Sequence, residues 1–331
     1  MKSISPKISI VMPVYNAGNK LISCLDTLVN QTLTDIEIII ILDSPTDGSD
    51  QIVKSYAKRD HRIILIENNS NLHIGLSRNK GLVIARGEYV GFSDHDDYRE
   101  LSMYEELYNY AKQQNTDFVI GNSVSVGEQT VKVDFSDWHN MHNIKDIALQ
   151  DLIEGGKNAL TDPKVTNIHP NLYKTYIIRK NQIQFVDTRK ITPEDRLFNI
   201  EFLLHATKVM IYDKELYYHL VHDESEGKKY SYVAYESRAA CKQYLYELLH
   251  RKKLYHLYEP FFLRSVKTSF ASLGVNALVN SGNPFHLYKI VRCLKCFEFS
   301  KLAFQTISND VFIPYRFIGR KFRELFSLLM K

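Results

Sequence analysis

Mostly apolar runs alternate with helical patterns through the first 122 residues of this chain. A run such as Ile36–Leu42 is typical of a strand buried on both faces, since neither face offers a row of polar side chains to water. The segment after the first run repeats apolar residues at helical spacing, at Leu21, Cys24, Leu25 and Leu28. Strands and helices in alternation predict a parallel sheet covered by helices on both faces.

The pattern changes twice along the chain, which suggests its organisation. Expected strands are Ile8–Met12, Ile36–Leu42, Ile63–Ile66, Tyr89–Phe92 and Phe118–Ile120, with helices after Ser49, over 75–86 and over 101–114. The alternation weakens after residue 122, and from about residue 231 the sequence becomes helical and rich in tyrosine. We therefore expect a first half over 1–122, a less regular second half over 123–230 that completes a cleft, and a C-terminal helical region over 231–331.

The segment Asp94-His95-Asp96-Asp97 places three carboxylates within four positions, directly after an expected strand. Ligands of open α/β sheets bind beyond the carboxyl ends of the strands, so this is a favoured place for a site. Carboxylates this close repel one another unless a cation lies among them, and Mg²⁺ or Mn²⁺ prefers such oxygen ligands. The alternative is a group of acids at the N-terminus of the helix expected from Leu101, where aspartate is favoured.

Several classes of protein lack support in the sequence. There is no Gly-x-Gly-x-x-Gly after the first strand and no Gly-Lys-Ser/Thr loop, which argues against a dinucleotide enzyme and a P-loop NTPase.

The cysteines and the apolar runs bear on the location of the protein. Four scattered cysteines are too few to stabilise 331 residues by disulfides, so we expect a reducing, cytoplasmic location. No window approaches the roughly 18 apolar residues that span a bilayer. We expect no nucleic acid partner.

Four segments together carry a more specific signal. They are Ile10–Asn16, Gln31-Thr32 with Ile36–Ile40, Leu76–Gly81 and Gly87–Tyr98. In this order they resemble the sequence blocks of glycosyltransferase family 2, and four blocks in order are far more specific than one. The resemblance implies the GT-A fold, a Rossmann-like α/β fold with a mostly parallel central sheet flanked by helices. It also implies an enzyme that uses a nucleoside-diphosphate sugar as donor.

The resemblance assigns Pro13, Tyr15 and Asp43 to the border of the nucleoside pocket. One departure lies here. The family usually has two adjacent acids before a Gly-Ser-Thr-Asp turn, whereas this chain has Asp43-Ser44-Pro45-Thr46-Asp47. Asp43 still supplies a hydrogen-bond acceptor for a base or ribose, and we expect a UDP-sugar as donor.

On the diphosphate side, the resemblance implies that Arg78 approaches the nucleobase or the diphosphate. It makes Asp94 and Asp96 the acidic motif, with Asp96 facing a Mn²⁺ or Mg²⁺ ion. His222 lies where some members bring a polar group back to the metal, although a surface histidine is an equally simple interpretation. For Arg78, the alternative is an arginine on a solvated helix face.

A fifth block, Pro193–Asn199, resembles the family's Glu-Asp pair at the start of a helix on the acceptor side. We predict that Asp195 is the general base, since inversion at the anomeric carbon needs a carboxylate that takes the acceptor hydroxyl proton. The alternative is a helix-capping acid. Asn167, His169 and Lys174 precede this block and are candidates to shape the acceptor cleft.

The C-terminal segment predicts an amphipathic basic helix. Tyr315, Ile318, Phe322, Leu325, Phe326 and Leu329 fall on one side, and Arg316, Arg320 and Arg323 on the other. Such a helix suits peripheral contact with an anionic membrane beside a lipid-linked acceptor, or packing against its own domain. Cys293 and Cys296 have no second pair or nearby histidine to complete a zinc site, so we expect them to be structural.

The combined expectation is an inverting, metal-dependent glycosyltransferase that extends a surface glycan such as capsule, exopolysaccharide or lipopolysaccharide. Two alternatives stay open. A sugar nucleotidyltransferase shares a Rossmann-like sheet and metal-binding carboxylates. A non-catalytic nucleotide- or glycan-binding homologue is conceivable because of the altered turn after Asp43. The sugar, the linkage and the oligomeric state are not readable from the sequence.

Overall fold

The computed structural model describes residues 5–127, 130–138, 141, 143–155, 164–221 and 232–266. Its strands are β1 (Ile8–Val14), β2 (Ile36–Leu42), β3 (Ile63–Glu67), β4 (Tyr89–Phe92), β5 (Tyr98–Arg99), β6 (Phe118–Val126), β7 (Val131–Lys132), β8 (Leu172–Lys174) and β9 (Val209–Leu220). Its helices are α1 (Lys20–Val29), α2 (Ser49–Ala57), α3 (His73–Ile84), α4 (Met103–Gln114), α5 (Ile144–Glu154), α6 (Thr175–Asn181), α7 (Glu194–His205) and α8 (Tyr232–Arg251). A further helical stretch covers 255–266.

The strands form one sheet in the order β3-β2-β1-β4-β8-β6-β9-β5, with β7 paired to β6. β1 pairs in parallel with β2 and β4, and β2 pairs in parallel with β3. β8 is antiparallel to both β4 and β6, and β6 runs parallel to β9. Because β1, β2 and β4 share a direction, their carboxyl ends meet at one edge of the sheet. The prediction of a mostly parallel α/β sheet flanked by helices is confirmed.

The core lies around the two central strands of the parallel half. Every residue of β1 and β2 is buried, as their continuous apolar runs predict. Helix α1 covers this sheet with the stripe of Leu21, Cys24, Leu25 and Leu28, all almost fully buried. Burial of one such aliphatic side chain contributes about 1.5–3 kcal/mol, so this face alone favours the fold strongly.

The acidic segment does not lie at the N-terminus of a helix. A short strand, β5, separates Asp97 from α4, whose first-turn acids are Glu105 and Glu106. Strand β5 pairs with β9 in antiparallel fashion, so the residue after Asp97 is paired with β9 at the edge of the sheet. The helix-terminus interpretation of Asp94–Asp97 is therefore wrong, because these acids lie in the connection between two strands.

The described residues divide into two compact units. The first unit contains the described residues within 5–149, 164–189 and 193–221. The second unit contains 150–155, 190–192 and 232–266. Inside the second unit, Leu245, Leu248 and Leu249 of α8 are buried, as is Phe262. The domain limits at 122 and 230 stay predictions, and 312–331, Cys293 and Cys296 lie outside the described residues.

No helix within the described ranges is both long and apolar enough to cross a bilayer. Cys24 and Cys241 are both buried.

Candidate active site

A buried arginine joins carboxylates from two parts of the first unit. Arg78 of α3 is only 1% exposed, and it donates from Nη2 to Asp94 Oδ1 at 3.0 Å. From Nη1 it donates to Asp195 Oδ1 at 2.6 Å and to Glu194 Oε1 at 3.1 Å. The guanidinium thus links the acidic segment after β4 with the start of α7. The interpretation of Arg78 as a residue on a solvated helix face is wrong.

The position of Arg78 follows from how α3 packs on the sheet. A Cβ atom on Gly81 would lie 2.5 Å from Val11 Cγ1 of β1, so the glycine allows the helix to approach the strand. Arg78 lies three residues earlier on the same buried face as Ser77 and Leu82. Its guanidinium also lies 5.2 Å from the ring centroid of Phe185, which covers it on one side.

His169 completes the charge cluster at Asp94. Its Nε2 lies 3.1 Å from Asp94 Oδ2 and 3.2 Å from Arg78 Nη2. Burial opposes protonation of this ring, but the Asp94 carboxylate outweighs burial and raises the pKa of His169 above its usual value. In return, although burial acts the other way, His169 and Arg78 hold the pKa of Asp94 well below its usual range. Asp94 is therefore ionised, with Arg78 and His169 as its partners.

Glu194 has the opposite electrostatic situation. Burial and the neighbouring Asp195 carboxylate raise the pKa of Glu194 to about 7, although Arg78 opposes the rise. Two acids at one helix start share one guanidinium, so near neutral pH Glu194 exchanges a proton readily. Asp195 lies in the first turn of α7, and its carboxylate meets Arg78. It therefore has a partner beyond its own helix, which the capping interpretation does not require.

Asp97 is held in a different way from Asp94. Its Oδ2 accepts a hydrogen bond of 2.6 Å from the Tyr217 hydroxyl, and its Oδ1 accepts one of 2.9 Å from the backbone N–H of Leu220. Burial and the charge of Asp94 raise the pKa of the Asp97 carboxyl. The backbone N–H of Asp94 also lies 3.4 Å from the Tyr217 hydroxyl oxygen, to which it donates. Tyr217 thus connects both ends of the acidic segment.

One carboxylate of the segment is more open to solvent than the others. The side chain of Asp96 is 33% exposed, and its Oδ1 lies 3.9 Å from His95 Nδ1. Ligand atoms of Asp94, Asp97 and His169 lie within 4.8 Å of one another, which makes this group a possible metal site. Carboxylate oxygens and one imidazole suit Mn²⁺ or Mg²⁺ as ligands. Asp96, which the resemblance places facing the metal, is not one of these three residues, so its role as a metal ligand stays a prediction.

The predicted nucleoside border lies at the neighbouring strand ends. Val14 pairs with Leu42 in register, so Tyr15 and Asp43 leave adjacent strands at the same edge. Pro13 is buried within β1, whereas Tyr15 is 44% exposed. Asp43 is buried, and its Oδ1 accepts hydrogen bonds from Asn68 Nδ2 at 2.7 Å and from the backbone N–H of Leu72 at 2.8 Å. These contacts fix the aspartate at the strand end.

The turn that departs from the family pattern is well satisfied. Asp47 accepts hydrogen bonds from the backbone N–H of Gly18 at 2.8 Å and of Ser49 at 3.0 Å. Asn16 Oδ1 accepts one from the backbone N–H of Thr46 at 2.8 Å. Ser44 stands where the family has glycine and has a positive φ of 56°, and Gly48 at the end of the turn has a φ of 88°, a conformation that suits glycine. The altered residues thus form an ordered connection.

Not every residue singled out in the sequence reaches this cluster. Of the three candidates for the acceptor cleft, His169 contacts Asp94, while Lys174 pairs with Tyr89 at the opposite end of β4 and contacts Asp117. Asn167 accepts a hydrogen bond from Asn171 through its backbone carbonyl. His222 lies outside the described residues.

Three residues of the cluster have no role in the expectation from sequence. Glu194 is adjacent to the predicted base, and Asp97 is part of the acidic segment, so a search for neighbouring acids would have found both. The sequence around Tyr217 does not mark it as a site residue, because the strand contains several tyrosines. It lies next to the acids only because β5 pairs with β9.

Comparison with known proteins connects this geometry to a family. Residues 9–175 match the model of "Glycosyl transferase family 2". The uncharacterized glycosyltransferase EpsJ of Bacillus subtilis is 30% identical over 317 residues, which are 90% of this chain and 86% of EpsJ. The poly(ribitol-phosphate) beta-glucosyltransferase of Bacillus spizizenii is 32% identical over 70% of this chain, which spans only 35% of that protein.

A solved structure supports the fold. The structure of S. aureus TarS residues 1–349 in complex with UDP-GlcNAc matches with a TM-score of 0.69 and 19% identity, covering 96% of this chain and 92% of that one. The fold is therefore GT-A, as the resemblance implies. From the matched region and the relatives together, the chain belongs to glycosyltransferase family 2.

Proposed function

We propose that this protein transfers a sugar, with inversion, from a UDP-sugar to an acceptor hydroxyl on a growing bacterial surface glycan. The observation that carries the proposal is the shared guanidinium of Arg78, which binds Asp94 on the donor side and Asp195 on the acceptor side. The two carboxylates that sugar transfer needs therefore belong to one site. The relatives support the substrate class, since the Bacillus spizizenii relative is named a poly(ribitol-phosphate) beta-glucosyltransferase and TarS was solved in complex with UDP-GlcNAc.

In the proposed reaction, Asp195 takes the proton of the acceptor hydroxyl as its oxygen bonds to the anomeric carbon. The bond from that carbon to the diphosphate oxygen breaks, and the electron pair leaves with the nucleoside diphosphate. Arg78 binds Oδ1 of Asp195, and we expect Oδ2 to accept the proton. The tight pair also holds the carboxylate in one orientation, which favours catalysis.

We expect Asp96 to hold a Mn²⁺ or Mg²⁺ ion, together with His222 and with Asp94 nearby. When bound, such an ion neutralises charge on the departing diphosphate. Pro13, Tyr15 and Asp43 are proposed to border the nucleoside. The proposed contact of Arg78 with the diphosphate would require a phosphate oxygen to replace one of its present acid partners. Peripheral membrane contact, a lipid-linked acceptor and a cytoplasmic location stay predictions.

The decisive experiment compares wild type with Asp195→Asn on a panel of UDP-, GDP-, CMP- and dTDP-sugars with Mn²⁺. We expect donor binding, measured as a thermal shift, to stay nearly intact while turnover falls by about two orders of magnitude, the typical contribution of a general base. Free nucleoside diphosphate as product supports sugar transfer, whereas pyrophosphate would indicate nucleotidyl transfer. Equal loss of binding and turnover would contradict the role of Asp195.

A further inference from the structure

A second buried arginine lies beneath the acidic segment, and the proposed reaction does not use it. Arg99 of β5 is 2% exposed and comes two residues after Asp97. Within the described residues it forms no ion pair with a carboxylate, and its Nε and Nη1 have no hydrogen-bond partner. A buried charge without a carboxylate costs stability, and an apolar residue at this position would cost less. The benefit of Arg99 must therefore lie elsewhere.

The contacts of Arg99 lead directly to the acids on one side. Its Nη2 donates to Ser93 Oγ at 2.8 Å, and Ser93 Oγ donates in turn to the backbone carbonyl of Asp94 at 2.9 Å. Cys24 Sγ, which lies 3.7 Å from Arg99 Nη2, donates to the same carbonyl at 3.1 Å. The backbone carbonyl of Asp94 is thus bound by Ser93 and Cys24, and both of these side chains contact Arg99.

Tyr217 provides a second connection from Arg99 to the acids. Arg99 and Tyr217 are direct partners across the β5–β9 ladder, and the guanidinium lies 5.5 Å from the centroid of the tyrosine ring. This cation–π contact fixes the ring whose hydroxyl donates to Asp97. The His169 ring stacks with the same tyrosine, at 5.5 Å between centroids and 15° between planes. Arg99 therefore contacts supports of both Asp94 and Asp97.

We propose that Arg99 is a positioning residue, which fixes the Asp94–Asp97 segment through Ser93 and Tyr217 in the shape that binds the metal and the donor diphosphate. This inference rests on the proposed function. A residue that only stabilised the fold would not need contacts that lead to the acids, whereas the connections through Ser93 and Tyr217 both end on the acidic segment. Lysine at this position keeps the charge but lacks the planar fork that reaches Ser93 while it lies over the ring.

The test uses the full chain with Arg99→Lys, Arg99→Met and Tyr217→Phe, and with Arg86→Lys as a matched control. Arg86 is an arginine paired with Glu37, and its side chain is 61% exposed. Binding of Mn²⁺ is measured from the electron paramagnetic resonance signal of the free ion, and transfer kinetics are measured with the donor that wild type uses. Circular dichroism checks that each variant is folded. If Arg99→Met does not fold, Arg99→Lys and Tyr217→Phe still test the proposal.

For Arg99→Lys and Tyr217→Phe we expect the Kd for Mn²⁺ to rise about tenfold, as is typical when a residue that supports metal ligands is changed. The Mn²⁺ concentration for half-maximal rate should rise in parallel, while kcat at saturating Mn²⁺ changes by less than about twofold. Arg86→Lys should match wild type. Unchanged Mn²⁺ affinity in folded Arg99→Lys overturns this inference alone. A wild type that binds no Mn²⁺ overturns the metal role in the proposed function, and this inference with it.

Discussion

Replacement of Arg78 by methionine should destabilise the first unit strongly, and the cost should depend on pH. Arg78 holds three carboxylates at 2.6–3.1 Å and is 1% exposed, so methionine would leave those acids together without their shared cation. Removal of one partner from a buried ion pair typically costs about 3–5 kcal/mol. Asp94 keeps His169 as a partner, so the main loss falls on Glu194 and Asp195.

The pH dependence follows from Glu194. Its pKa in the folded protein is about 7, above the 4.5 of an ordinary glutamate, so its ionisation destabilises the folded state as pH rises through that interval. Without Arg78 the pKa of Glu194 should rise further, because the opposing cation is gone. We therefore expect a loss of about 3 kcal/mol at pH 6 that grows to about 5 kcal/mol at pH 8.5, where Glu194 must ionise beside Asp195.

Urea unfolding of Arg78→Met at both pH values measures this loss, with fluorescence of the buried Trp138 as the probe of the first unit. The double variant Arg78→Met/Glu194→Gln should recover about 1–2 kcal/mol at pH 8.5, since one of the opposing carboxylates is gone. Lys54→Met is the control, because Lys54 and its two acid partners are accessible to water, so its unfolding midpoint should stay close to that of wild type. A loss below about 1 kcal/mol for Arg78→Met would refute the reasoning.

Three further predictions concern separate parts of the chain. Asp96→Asn should weaken Mn²⁺ binding, measured by calorimetry, at least tenfold without a change in melting temperature; an equal affinity would exclude Asp96 as a ligand. Hydrogen bonds from Lys214 and its neighbours outweigh burial and lower the pKa of Glu106 to about 2. Glu106 therefore stabilises the fold above pH 4.5, and Glu106→Gln should reduce the loss of stability between pH 4.5 and 2 by about 1 kcal/mol. Deletion of 312–331 should abolish sedimentation with anionic liposomes, and unchanged binding would defeat the membrane hypothesis.

The parallel half of the fold could be predicted because its signals are local. Buried strands such as β1 and β2 are continuous apolar runs, and the helix between them has a clear apolar stripe. β6 was harder, since it extends to Val126 through Asn122 and Ser123, whose polar side chains suggest a turn. Both residues are nevertheless buried, and Asn122 finds a partner in Asp213 on β9. Such a strand depends on pairing with a segment 91 residues away, which local patterns do not contain.

The site shows how a charged residue on a buried face can be interpreted from sequence. Arg78 stands among Gly75, Ser77, Gly81 and Leu82, and these small or apolar neighbours already mark the face of α3 that packs on the sheet. A guanidinium on that face needs carboxylates, and the chain has two candidate acid groups, after β4 and at the start of α7. Their convergence on one cation is thus a consequence of burying Arg78. Arg99 follows the opposite logic: it is buried without an acid partner, so its sequence position alone predicts nothing. Its connection to the acids becomes visible only in the folded chain, through the cross-strand pairing with Tyr217 and the hydrogen bond to Ser93.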